Sequence, residues 1–260
     1  MAAMRYTRAI VRPPPTTFAA GLSSAPAGAP DLARALVQHR VYCEALTACG
    51  LTLTALSADP AYPDSCFVED PAIVTARGAM VTRPGAPSRA GEADSIASAL
   101  RSWYRDPVRM MPPGTLDGGD VCQVDDHFLI GLSGRTNDEG ARQLTEFLET
   151  RGYRSSIVDV RGSDGLLHLK SGMSYLGDGR IVVVPGLSRV EALRPYELIV
   201  VPDSERYAAN CLRINDRVLI AAGHPDFAGT LSGLGYDTLP IDLSEFRKMD
   251  GSLTCLSLRA

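Results

Sequence analysis

The sequence predicts an α/β fold: five ββαβ units set around an axis, a pseudo-symmetric propeller closed by pairing of the N- and C-terminal segments. Three observations predict it. First, an order of apolar strand, tight turn, second strand, amphipathic helix and third strand recurs along the chain. Second, both ends carry fragments that are incomplete alone and add up to one more unit. Third, the residues with the most chemistry fall at the same place in each unit, just before its first strand. One domain covering residues 1–260 is expected, long enough to bury a sizeable core.

Taken in order, the chain opens with a strand, RYTRAIVR, a helix from Asp31 to Cys49 ended by Gly50, and a strand, LTLTAL. The first complete unit follows, with PAIVTA and AMVTRP around an Arg-Gly turn, a helix from about Glu92 to Tyr104, and a weak strand at VRMM. In the second, DVCQV and HFLIGL flank Asp125 and Asp126, residues that tolerate left-handed backbone. Its helix, DEGARQLTEFLETRG, keeps Ala141, Leu144, Phe147 and Leu148 on one face and stops at Gly152 before SSIVDV. The third unit is MSYL, Gly-Asp-Gly, RIVVVPG, a short helix around Ser188 to Leu193, then ELIVV. The fourth is CLRI, Asn-Asp, RVLIAAG, a short helix from about Phe227 to Leu234, then DTLPIDL. What remains is one strand, TCLSLR, which joins the N-terminal leftover as the fifth unit. Closing the ring in this way removes open sheet edges.

Composition is that of an ordinary globular protein, 45% hydrophobic and 22% charged. The net charge of −4 argues against a nucleic-acid partner, and no apolar run is long enough to span a bilayer. Arginines and prolines interrupt the N-terminus where a secretory signal needs an apolar stretch. Six cysteines, at 43, 49, 66, 122, 211 and 255, match no zinc spacing and include no CxxC. Reduced thiols and a cytoplasmic location are therefore expected. The oligomeric state stays open, a homodimer included.

The segments before the five first strands are PDSCFVED with Asp64, Glu69 and Asp70; LDGGD with Asp117 and Asp120; LLHLKSG with His168; RYAAN with Asn210; and DGSLT, which runs into Cys255. In a ring of similar units, equivalent positions point to one axis, so acids, a histidine and a cysteine distant in sequence converge. Each feature also has a plainer reading. Most lone cysteines are small buried hydrophobes, and Cys43, Cys49, Cys66, Cys122 and Cys211 are assigned to packing. His39, His127 and His224 are read as surface or packing residues. The acidic loop alone would be a solvated turn. LDGGD is a turn by composition, its paired glycines permitting positive φ, and Asn210 is assigned a structural role.

A cysteine nucleophile with a histidine acid/base and an orienting carboxylate suits attack on an electrophilic carbon. Several carboxylates in one pocket imply a cationic guest, and a planar guanidinium matches carboxylate oxygens in bidentate fashion. Such a cation would also favour the thiolate of Cys255. Arg89 and Arg135, near the ends of elements, fit the carboxylate of an amino acid.

These residues resemble the dimethylarginine dimethylaminohydrolase family of the guanidino-group-modifying (pentein) superfamily. The resemblance covers essentially the whole chain, in PDSCFVEDPA, TRPGAPSR, LDGGDV, GLSGRTN, LHLKSGMSYL, YAANC and DGSLTCLSLR, in that order. It implies a five-unit propeller with its site on the axis. It implies Cys255 as nucleophile, His168 as acid/base, and Asp117 as the acid beside His168, where many relatives carry glutamate. It places Asp64, Glu69 and Asp70 on the guanidinium side, and Arg89 and Arg135 at the amino-acid end. Leu22 and Met249 match positions whose backbone meets substrate, Met249 standing where some relatives have a branched aliphatic residue, and Phe67 is a pocket wall. The implied reaction converts an Nω-methylated arginine to citrulline and methylamine or dimethylamine through a covalent thiouronium, with no metal or organic cofactor.

Rivals within the superfamily are an Nω-hydroxyarginine hydrolase and an arginine deiminase, the latter usually longer by a helical insertion. Agmatine deiminase is disfavoured if the two arginines bind a carboxylate, and amidinotransferases are longer. A rival of another class is a non-catalytic propeller, like the ribosome anti-association factor of this fold. Such a binder has no reason to keep Cys255, His168 and Asp117 at equivalent positions.

Overall fold

Each recurring segment folds into its own three-stranded sheet, and the computed structural model, which describes residues 5–24, 28–163 and 165–260, contains five of them. From the N-terminus come β1 (Arg8–Val11), α1 (Leu32–Ala48) and β2 (Thr52–Ala55), then β3 (Ala72–Thr75), β4 (Gly78–Val81), α2 (Glu92–Leu100) and β5 (Val108–Arg109). The second complete unit is β6 (Val121–Val124), β7 (His127–Leu132), α3 (Asp138–Glu149) and β8 (Arg154–Asp159). The third is β9 (Met173–Gly177), β10 (Arg180–Val183) and β11 (Glu197–Val200). The fourth is β12 (Leu212–Ile214), β13 (Arg217–Ala221), α4 (Pro225–Gly233) and β14 (Asp237–Ile241), followed by α5 (Ser244–Arg247) and β15 (Leu258–Arg259).

In every sheet the central strand is antiparallel to one neighbour and parallel to the other. A parallel pairing needs a crossover, which is why the helical segment falls between the second and third strands. Asp125, Asp178 and Asn215 turn three of the hairpins with φ of 53°, 54° and 53°, the left-handed backbone that short Asp and Asn side chains tolerate. Helix starts are capped by side chains: Asp31 accepts from Arg34 N at 3.0 Å, and Asn137 from Gly140 N at 2.8 Å. On α3, the four apolar residues of the sequence pattern are all buried.

Inner strands of neighbouring units touch, β6 with β9, β9 with β12, and β15 with β3, so the sheets stand around an axis. Closure comes from the chain ends. β15 runs antiparallel to β1, with Ala9 opposite Arg259 and Ile10 opposite Leu258. The Ala260 carbonyl accepts from Thr7 N and Arg8 N at 2.8 and 3.0 Å. Apolar side chains fill the wedges between units: Ile10 and Leu258 of the closing sheet pack with Val68, Ala72 and Val81 of the next.

Four local expectations are corrected. The helix expected to reach Tyr104 ends at Leu100. The short helix expected around Ser188 to Leu193 is instead two 3-10 turns, Pro185–Leu187 and Glu191–Leu193, since the span between Pro185 and Pro195 is too short to repay helix nucleation. TCLSLR is strand only at Leu258–Arg259, Thr254–Leu256 being a 3-10 turn. The pattern missed α5, four residues long. Of the 13–30 loop, residues 25–27 lie outside the described residues.

Deleting residues 258–260 removes the β1 partner and the buried Leu258. The expected loss is on the order of 4 kcal/mol, which lowers Tm by roughly 10 °C in a chain this size. Thermal unfolding of the truncated protein measures it; an unchanged Tm would show that closure adds no stability.

Candidate active site

Each first strand is entered from a tight turn at the axis, and these turns are bonded to one another. Asp70 Oδ1 accepts from Gly119 N at 2.9 Å, and Asp120 Oδ1 from Leu169 N at 2.9 Å. Asn210 Nδ2 donates to the Lys170 carbonyl at 2.8 Å, while its Oδ1 accepts from Thr254 N at 3.1 Å. Glu69 N donates to the Cys255 carbonyl at 3.2 Å, which closes the circle. The equivalence of these positions, read from the repeat, is thus a physical contact between adjacent units.

The two glycines of LDGGD serve this packing and not a left-handed turn, a correction to the expectation, for neither has positive φ. A Cβ on Gly118 would stand 2.1 Å from the Glu69 carbonyl oxygen, and one on Gly119 2.8 Å from the His168 ring.

His168 is buried, its Nε2 3.0 Å from Asp117 Oδ2. Asp117 Oδ1 accepts from Gly85 N at 2.8 Å, which fixes the carboxylate. Burial works against the imidazolium. The Asp117 hydrogen bond and the charges of Asp70, Asp120 and Asp117 outweigh it and push the His168 pKa up to about 9. Asp120 is fully engaged, accepting from Ser133 Oγ and Thr136 Oγ1 at 2.6 and 2.7 Å, and so braces the loop that carries Arg135.

Asp70 lies beside this pair. A carboxylate oxygen from each of Asp70 and Asp117 and a ring nitrogen of His168 are within 4.8 Å of one another. This spacing could suit a metal, but the groups are committed: His168 to Asp117, and Asp70 to Gly119 N and Arg89. Burial alone would raise the Asp70 pKa; Arg89, His168 and the Gly119 N–H overcome it and bring it down to about 2. Arg89 is buried in an ionic knot, 2.6 Å from Asp70 Oδ2 and 2.8 Å from Glu92 Oε2, and it also donates to the Phe67 carbonyl at 3.1 Å. Arg135 is half-buried, and among the described residues it makes no ion pair.

Cys255 sits on the 3-10 turn Thr254–Leu256, partly exposed, with Ser252 Oγ 3.4 Å from its sulfur. Burial, then the charges of Glu69 and Asp70, push its thiol up to about 11, with the Ser252 contact acting the other way. The remaining cysteines divide between buried Cys66, Cys122 and Cys211 and half-buried Cys43 and Cys49. His127, read as packing, is held between Tyr196 Oη and Ser156 Oγ.

Other expected residues sit further out. Asp64 is buried, and both its oxygens accept from Leu22 N, at 3.1 and 3.2 Å. Leu22 itself is exposed, and Asp64 holds its backbone in place. Met249 and Phe67 are buried, Phe67 in an aromatic group with Phe18 and Phe246. Gly251 is required there, because a Cβ would fall 2.4 Å from the Phe67 ring. The Glu69 carboxylate is neutralised by Lys170 Nζ at 2.6 Å and Arg259 Nη2 at 2.8 Å. It borders a cavity of about 540 Å³ lined by residues from the inner strands of all five units and by Thr254 of the Cys255 turn, with Cys255 itself outside the lining.

Sequence reasoning missed Glu92, Lys170, Arg259 and Ser252. The signal for Ser252 was its place three residues before the cysteine; charged residues in partnered, buried positions leave no comparable mark.

Comparison with known proteins agrees with this geometry. The arginine deiminase family model matches residues 58–210, which places the chain among guanidino-group-modifying propellers. It is 41% identical over 98% of its length to a dimethylarginine dimethylaminohydrolase of Pseudomonas aeruginosa, covering 99% of that protein. It is 38% identical to one of Streptomyces coelicolor, covering 98% of each chain. A solved structure of the Pseudomonas aeruginosa protein, a cysteine-to-serine variant complexed with citrulline, superposes with a TM-score of 0.95 at 40% identity, covering 99% of this chain and 100% of that one. The chain belongs to the dimethylarginine dimethylaminohydrolase family.

Because the folded pKa of His168 is raised above its ordinary 6.5, its pair with Asp117 stabilises the fold fully below about pH 6.5. That contribution is lost as pH rises through about 9. Asp117→Asn removes the carboxylate charge that favours the imidazolium and is expected to lower the His168 pKa and flatten stability between these limits. NMR titration of the imidazole with Tm against pH reads both; a pKa unmoved in the variant would contradict the assignment.

Proposed function

We propose that the protein, acting as one α/β-propeller domain, hydrolyses Nω-methylated L-arginine to L-citrulline and dimethylamine or methylamine. The observation that carries this is the placement of a part-exposed thiol, Cys255, and the His168–Asp117 pair on turns of one axial ring, linked through Asn210, in a member of this family. The substrate guanidinium binds at Asp70, the strongly ionised acid of the site. Arg135 takes the substrate carboxylate, with Arg89 beside it holding Asp70 in place. Leu22 and Met249 border the amino-acid end through their backbone, with Asp64 fixing Leu22 and Phe67 forming a wall. Glu69 acts at the base of the site through its backbone bond to Cys255 and its pair with Lys170.

In the resting site the thiol is protonated and the imidazole charged at neutral pH. Entry of a guanidinium beside Cys255 offsets the acid charges that disfavour the thiolate, so substrate binding ionises the nucleophile, its proton passing to solvent. Cys255 adds to the guanidinium carbon. His168, with Nε2 bound to Asp117, gives the proton on Nδ1 to the departing amine. The thiouronium on Cys255 is then attacked by water that His168 deprotonates, and collapse of that adduct frees citrulline and the thiol. A thiol nucleophile among five further unpaired cysteines suits a reducing compartment, and we place the enzyme in the cytoplasm.

Citrulline release from Nω,Nω-dimethylarginine, monomethylarginine, hydroxyarginine and arginine tests the reading. The methylated substrates should turn over, and Cys255→Ser should lose at least about 10³-fold in kcat. Preference for hydroxyarginine or arginine would move the protein to a neighbouring activity; no turnover would end the enzymatic reading. A second expectation concerns the thiol. Alkylation by neutral 2-chloroacetamide should rise with pH toward the thiol value of about 11. Cationic 2-chloroacetamidine should modify Cys255 with a midpoint well below that. Coincident profiles would rule out ionisation by the guest.

A further inference from the structure

Asn210 was assigned a structural role from the sequence, yet among the described residues it is the side chain whose hydrogen bonds hold the nucleophile turn and the histidine turn at once. It is buried, 3% exposed, at the end of the turn preceding β12. Toward the nucleophile it makes two bonds to the residue before Cys255: Oδ1 accepts from Thr254 N at 3.1 Å, and Nδ2 donates to Thr254 Oγ1 at 3.0 Å. Toward the acid/base it donates to the Lys170 carbonyl at 2.8 Å, two residues beyond His168. The primary amide is the group this position calls for. It offers one acceptor and two donors in a plane, and here all three are used.

The contact does more than bury a polar group. Thr254–Leu256 is a single 3-10 turn with no regular element on its N-terminal side, since the chain reaches it through Asp250, held at φ 55°, and Gly251. Backbone bonds within the turn are few, and Cys255 N reaches Ser252 O only at 3.2 Å. The direction of the Cα–Cβ bond of Cys255 therefore depends on what grips its neighbours. Glu69 N holds the Cys255 carbonyl from one side, and Asn210 holds Thr254 from the other.

We propose that Asn210 is a positioning residue for the reaction, setting the Cys255 turn at a fixed distance from the turn of His168. The proposal rests on Cys255 as nucleophile and His168 as acid/base, but it adds a group that touches neither substrate nor the reacting atoms. Asn215 supplies a matched control. It too bonds two segments through a full amide, accepting from Tyr6 N at 2.9 Å and donating to Tyr6 O and Cys49 O at 3.0 and 2.9 Å, and it takes no part in the site.

The experiment compares the full-length wild type, Asn210→Ala, Asn210→Asp, Asn215→Ala and Cys255→Ser. Steady-state kinetics with dimethylarginine are paired with the rate and pH dependence of 2-chloroacetamidine labelling, the label placed at Cys255 by mass spectrometry. Asn210→Ala should lose about 10- to 100-fold in kcat with KM within about twofold, the pattern of misplaced reacting groups. Its labelling rate should fall as well. Asn210→Asp keeps the acceptor for Thr254 N and loses the donors, so it should fall between wild type and alanine; it also serves if the alanine variant does not fold. Asn215→Ala should lower Tm without changing kcat. Wild-type kcat and labelling in a folded Asn210 variant would overturn the proposal, as would an equal kcat loss in Asn215→Ala. A wild type inert toward every guanidino substrate would instead overturn the enzymatic reading, and the labelling rates at Cys255 would still decide whether Asn210 sets the thiol.

Discussion

Everything at the centre of this protein depends on the circle of hydrogen bonds that joins the five axial turns. Three of its links use the side-chain amide or carboxylate of an Asx residue, Asp70, Asp120 and Asn210, as acceptor for a backbone N–H of the next unit. The short reach of these side chains brings adjacent backbones close enough that Gly118 and Gly119 cannot carry a Cβ. The sheets outside the circle supply apolar area and rigidity. The circle converts that rigidity into fixed positions for Asp117, His168 and Cys255, which no single unit could hold.

The charge arrangement follows from the same crowding. Asp70 stands between a permanent cation, Arg89, and a conditional one, His168, and keeps its own charge through both. Glu69, one residue earlier, faces two cations of its own, Lys170 and Arg259. Adjacent acids thus each face two cations, and the charges of both still reach Cys255 and disfavour its thiolate. Breaking either set would leave a buried charge without a partner, a loss of about 3–5 kcal/mol. The site therefore shares its electrostatics with the fold.

Much of this was legible in the sequence because the repeat repeats its chemistry along with its shape. Hairpin pairs stood out as apolar runs around short turns, three of them with Asx residues at the bend, and α3 by its apolar face. Cys255, His168 and Asp117 stood out by falling at equivalent positions. What the sequence hid was partnership. Arg89 reads as a free cation and is locked between Asp70 and Glu92. Glu69 reads like Asp70 and faces the other way. Asn210 reads as filler because an amide has no charge or reactivity to mark it, and its importance lies in bonds made across units. The third crossover was misread because a local pattern of apolar residues does not reveal that two prolines leave too little room for a helix.

The pairing of β15 with β1 also orders events in time. The fifth unit is assembled from both ends of the chain, so during synthesis four units can collapse locally while this one waits for a strand made after Cys255. The Cys255 turn bonds to Glu69 across the seam that the β15–β1 pairing closes. A nascent or partly opened molecule would hold a thiol outside the acidic pocket, without its histidine. Reactivity toward guanidino compounds would then be a property of the finished ring alone, and the chain's last structural event would also switch on its chemistry.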